Sequence, residues 1–116
     1  MKKTTITLLT IIALGVLLIK CSKDKAPNVV CTSSSVTYTA KVKPILDDNC
    51  ATSGCHDAST KRSGYDFSTY ASSKAGINKG LCCINEDGCV LMPPGGKMAD
   101  SLITIISSWS AGGQCE

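Results

Sequence analysis

The sequence predicts an all-α domain, and three observations carry that expectation. Near the C-terminus, Leu102, Ile105, Ile106 and Trp109 recur at i, i+3, i+4 and i+7, the one-sided apolar stripe of an amphipathic helix. Further upstream, Val36, Val42, Ile45 and Leu46 fall at roughly helical spacing. The segments between them are rich in turn residues, and none reads as a strand.

Residues 1–20 lie outside that domain. Lys2 and Lys3 form a positive start, and residues 4–19 are uncharged and mostly apolar, which is the layout of a secretory signal. The run is short beside the roughly 20 residues that a membrane-spanning helix takes. Cys21 follows, and then the polar Ser22, Lys23, Asp24 and Lys25. An apolar run ending in a cysteine before a polar stretch resembles a bacterial lipoprotein signal. That resemblance implies that Cys21 becomes the lipidated first residue of the mature chain. Such signals usually carry a small residue before the cysteine, and here it is Lys20. An uncleaved N-terminal anchor is the alternative. Both readings place the rest of the chain outside the cytoplasm, anchored to a membrane on the periplasmic face or the cell surface, with the outer membrane expected.

The formal charge of +3 belongs to this leader. Without Lys2, Lys3 and Lys20, nine basic side chains face nine acidic ones. No basic stripe remains, so no nucleic-acid partner is expected. The mature part is also lean in large apolar side chains. Domains this small generally need disulfides, a metal or a cofactor for stability. The chain holds eight cysteines, and an exported chain meets an oxidising compartment.

Residues 21–35 read as the lipidated cysteine and a polar tether, with Pro27 and three consecutive serines; the domain spans 36–116. Pro44 should end or restart the first helix, leaving a short one that leads into Cys50. Residues 57–64 form a polar loop. Residues 65–77 form a turn and then a short helix from Ser68. Residues 79–88, with Cys82, Cys83 and paired acids, read as an irregular cross-linked loop. Pro93, Pro94, Gly95 and Gly96 make a turn that neither a helix nor a central strand accepts. Asp100 or Ser101 can cap the last helix, and Gly112 and Gly113 end it.

Cys50, Cys55 and His56 carry the chemistry. Two cysteines can hold a haem through thioether bonds, and a histidine directly after the second is then kept under the iron as an axial ligand. The usual spacing is C-x-x-C-H; here it is C-x-x-x-x-C-H, so two extra residues must bulge out within residues 51–54, where Ser53-Gly54 allows it. The competing assignment is a plain Cys50–Cys55 disulfide with a bystander histidine. His56 is the chain's single histidine, and it falls directly after the second cysteine of a close pair. Met92, ahead of Pro93-Pro94, supplies the other common axial ligand.

The run KVKPILDDNCATSGCH, then GYDFSTYASSKAGINKG, then MPPGGKMADSLITIISSWSAGG resembles the small cytochrome c-like domains of extracytoplasmic bacterial proteins. The resemblance spans residues 42–113. It implies helices packed around one covalent haem c, with first and last helices crossing. It also implies attachment at Cys50 and Cys55, with iron ligation by His56 and Met92. The widened cysteine spacing and the cysteine-rich insertion at residues 81–89 depart from the family pattern. Cys31 precedes the first helix and Cys115 follows the last, so crossing helices would let a Cys31–Cys115 disulfide clasp the termini. Cys89 can pair with Cys82 or Cys83; one of these five cysteines is left over or pairs between chains. Disulfides are expected here rather than a metal cluster.

Tyr65, Phe67, Tyr70 and Trp109 are expected in the core and against the haem. Lys61 and Arg62 can meet a propionate or a partner's acids. No residues that transform a substrate are visible, so no enzyme is expected. The reading is one-electron transfer with redox partner proteins. The alternatives are a haem-free, disulfide-stapled binding lipoprotein, and a haem protein with an open sixth position.

Overall fold

The computed structural model describes residues 29–32 and 34–116. The leader, Cys21 and most of the tether lie outside the described residues. Among the described residues the fold is all-helical, supported by two disulfides, with no strand.

A single π-helical turn, Tyr38–Val42, runs into helix α1, Lys43–Asn49. Pro44 stands in the first turn of α1, where a missing N–H leaves no hydrogen bond unmade. The helix therefore restarts at the proline and leads into Cys50, whose N–H donates to the Leu46 carbonyl. Tyr38, Val42, Ile45 and Leu46 point inward, while Lys43 and Asp47 pair at 2.7 Å on the exposed side.

Helix α2 spans Tyr70–Ile84. Thr69, rather than Ser68, precedes it as the N-cap, and its Oγ1 accepts from the Ser72 N–H at 3.3 Å. The helix runs past residue 78, so Cys82 and Cys83 are helical and not part of an irregular loop. The reason is tertiary. A glycine in a helix interior costs about 1 kcal/mol relative to alanine. Gly76 and Gly80, however, are what lets α2 lie against Phe67. A Cβ on Gly76 would meet Phe67 and Tyr65 at 3.1 Å each, and one on Gly80 would meet Phe67 at 3.3 Å.

Helix α3 spans Asp100–Ala111 and ends at Gly112 as expected. Ala99 is its N-cap, with no side-chain cap, so neither Asp100 nor Ser101 takes that role. Asp100 lies instead in the first turn, where its charge favours the helix dipole, and it pairs with Lys97 at 3.0 Å. The buried line is Ile103, Ile106 and Trp109, with Leu102 and Ile105 half-buried beside it. The apolar face is thus rotated from the expected one, so that Ile106 sits at its centre and Ile103 takes a buried place that the expected stripe left out.

One end of the core is an aromatic cluster. Tyr38 lies 5.4 Å from Tyr70 and 5.7 Å from Trp109 between ring centroids, and Trp109 is fully buried. The C-terminal tail closes over this cluster. The Cys115 carbonyl accepts from Tyr38 N–H and from Trp109 Nε1, both at 2.8 Å, and the Tyr70 hydroxyl donates to the Gln114 carbonyl at 2.8 Å. Tyr38 and Trp109, at opposite ends of the domain's sequence, thus share one acceptor. Cys115 is bonded to Cys31, across 84 residues of chain.

Cutting this long closure with Cys31→Ser is expected to cost about 2–4 kcal/mol of stability. Urea unfolding of the oxidised wild type and the variant checks it, with a lower midpoint as the expected result and a steeper slope, since the uncrosslinked denatured chain exposes more surface.

Candidate functional site

The segment from Cys50 to Phe67 builds one wall of a cavity. Its extra residues are accommodated by a tight turn. Gly54 adopts φ +79°, a backbone conformation that side chains disfavour. The Asp57 carboxylate accepts from the Gly54, Ser59 and Thr60 N–H groups at 2.9, 2.8 and 2.7 Å. These donors hold its carboxyl below the usual carboxylate range, the Thr60 N–H contributing most. The turn folds back so that His56 N–H donates to the Cys50 carbonyl at 3.0 Å, and Arg62 N–H to the Cys55 carbonyl at 2.9 Å. Cys50, Cys55 and His56 are therefore held as one backbone unit, all half-buried.

His56 is fixed further. Its Nδ1 lies 3.1 Å from the Tyr65 carbonyl, which can only accept. The proton therefore sits on Nδ1, and the lone pair is left on Nε2, the form in which an imidazole ligates a metal. Phe67 N–H donates to the His56 carbonyl at 2.9 Å, and the Phe67 ring meets the imidazole edge-on at 5.2 Å. The glycines of α2 press against that same ring. Sequence reading missed Gly76 and Gly80 as supports of the histidine; the signal was two glycines four apart in a segment with helical caps.

The cavity has a volume of about 740 Å³, within the roughly 300–1,000 Å³ of ligand and cofactor sites. Cys50, Cys55, His56 and Met92 all line it. Met92 belongs to the loop after α2 and is docked there, its N–H donating to the Cys83 carbonyl at 3.3 Å. Met98 is 7% exposed and packs in the core away from the cavity lining. Phe67 and Ile84 belong to both core and cavity. Tyr65 also lines the cavity, whereas Tyr70 and Trp109 sit in the aromatic cluster and not on this wall. Arg62 and Lys79 bring positive charge to the lining; Lys61 turns instead to Asp66, at 3.7 Å.

Of the cysteines, Cys82 is bonded to Cys89, whereas Cys50, Cys55 and Cys83 are thiols. Cys50 and Cys55 are thus not joined to each other. Burial, with a smaller contribution from Cys55, pushes the Cys50 thiol up to about 11, so at neutral pH it stays protonated in the haem-free chain. The donor set fits a haem: two thiols for its vinyl groups, a nitrogen and a thioether for its iron, and cations for its carboxylates.

Compared with family models, curated proteins and solved structures, the chain matches none.

Proposed function

We propose that this domain is a single-haem c-type cytochrome that transfers one electron between extracytoplasmic partner proteins. The observation that carries the reading is the gathering of Cys50, Cys55, His56 and Met92 on one cavity, with the His56 proton committed to a backbone carbonyl. In this reading each cysteine adds its S–H across one vinyl group, leaving two thioether bonds and releasing nothing. His56 and Met92 would be the residues that hold the iron. Phe67 and Ile84 would exclude water, and Arg62 and Lys79 would offer positive charge to the carboxylates. The bound iron supplies the redox chemistry. A methionine opposite a histidine favours a higher potential than a second histidine does.

Production alongside a cytochrome c maturation system tests the reading. The expected product is coloured, with the absorption bands of a low-spin haem c in its reduced form. A colourless chain with Cys50 bonded to Cys55 would overturn the haem reading and favour the haem-free alternative.

The proposed location rests on the leader and Cys21. Cys21→Ser is expected to abolish lipidation and leave an unprocessed precursor in the membrane fraction. A mature product of unchanged mass overturns lipid anchoring at this cysteine.

A further inference from the structure

The structure carries a second piece of sulfur chemistry beside the cavity. Lys79, Cys82 and Cys83 stand at i, i+3 and i+4 on the last turns of α2, so both cysteines neighbour the lysine on the helix surface. Cys89 reaches into this triangle from the following loop. Its Sγ is bonded to Cys82 and lies 3.1 Å from Lys79 Nζ. Cys83, the third corner, is a half-buried thiol, and Cys83 and Cys89 line the same cavity wall. A disulfide, a thiol and an ammonium group are thus gathered on one helical turn.

We propose that the Cys82–Cys89 bridge is exchangeable and that Cys83 is the nucleophile that takes Cys89 from Cys82. As a thiolate, Cys83 attacks Cys89 Sγ. The Cys83–Cys89 bond forms as the Cys82–Cys89 bond breaks. The electron pair of the broken bond stays on Cys82, which takes up the proton that Cys83 gave up. One disulfide and one thiol are present before and after, so no external oxidant or reductant takes part. The Lys79 ammonium, 3.1 Å from Cys89 Sγ, places positive charge beside the sulfurs that exchange.

The exchange matters for the cavity because Cys89 lies three residues before Met92, whose N–H is bonded to the Cys83 carbonyl. Moving the anchor of this loop from one helical position to the next turns it by about 100° around α2. The two pairings therefore present the Met92 loop differently to the cavity. The proposal stands on the cysteines themselves and not on the cofactor, and its test reads the same in a coloured or a colourless chain.

Trypsin cleaves after Lys79 and Lys97, so one peptide holds Cys82, Cys83 and Cys89. The full chain is treated with N-ethylmaleimide, then reduced, alkylated with iodoacetamide and digested. Fragmentation between the adjacent cysteines locates the maleimide. The expected result is a label shared between Cys83 and Cys82, with Cys82 carrying it in about a tenth of molecules or more, the share left by a gap of about 1.4 kcal/mol. Maleimide confined to Cys83 overturns the proposal. In Cys82→Ser, Cys89 is expected to remain oxidised through Cys83 and so resist the first label. Free labelling of Cys89 in that variant also overturns it, since Cys83 then does not reach its target.

Discussion

Serine at both Cys50 and Cys55 is expected to give a chain that surrenders all its haem to acid–acetone, whereas the wild type keeps its colour in the polypeptide. The expectation follows from the turn at residues 50–57. The His56 N–H to Cys50 carbonyl bond brings the two thiols and the imidazole onto one wall in spite of the widened spacing. Each single serine variant is expected to retain haem through the remaining thioether, with weaker retention. If colour leaves the wild type quantitatively with the solvent, the haem is not covalently held and the roles given to both cysteines fail. The test is the same at both positions, because the hydroxyl that replaces either thiol has no chemistry with a vinyl group.

Met92→Ala is expected to convert a low-spin, six-coordinate haem into a high-spin or differently ligated one and to lower its potential. In the proposed reading the thioether is a weak neutral ligand, and its removal would leave the iron open to water or to a basic side chain. Lys79 already lines the cavity; Lys97 is engaged with Asp100. Met98→Ala is expected to do the opposite. Met98 is buried in the core, so its truncation should cost about 2–5 kcal/mol and leave the spin state nearly untouched. Visible spectra and magnetic circular dichroism, read beside denaturant midpoints, separate the two. A methionine-ligated spectrum surviving in Met92→Ala and vanishing in Met98→Ala reverses the assignment.

How much of this was legible in the sequence depends on the range of the interaction. The Cys50–His56 unit is local, held by bonds between residues a few positions apart, and its spacing and single histidine were visible. The ends of α3 were legible to within two residues, but its buried face was not fully so. Ile103 is buried and Leu102 only half so, because the neighbouring elements fix which side of α3 turns inward, and a stripe drawn from Leu102 cannot know those partners. The length of α2 was missed because glycines and adjacent cysteines are poor local evidence for a helix. What extends the helix is the fit of Gly76 and Gly80 to a ring nine residues and more upstream. Met92 joins the site through one backbone bond to Cys83, and no periodicity announces such a bond. The terminal disulfide was reachable only through the resemblance, which suggested helices that cross.

The shared acceptor at Cys115 also sets an order of events. A polypeptide is delivered N-terminus first, so every residue lining the cavity, up to Pro94, emerges before α3 and the tail. The aromatic cluster stays incomplete until Trp109 arrives, and Cys31 has no mate until Cys115 follows six residues later. There is consequently an interval in biogenesis when the cavity wall exists as covalent chain but the seal at the far end has not been made. In the proposed reading, haem attachment at Cys50 and Cys55 draws only on residues delivered before that seal. The last few residues act as a latch whose closing ends that interval.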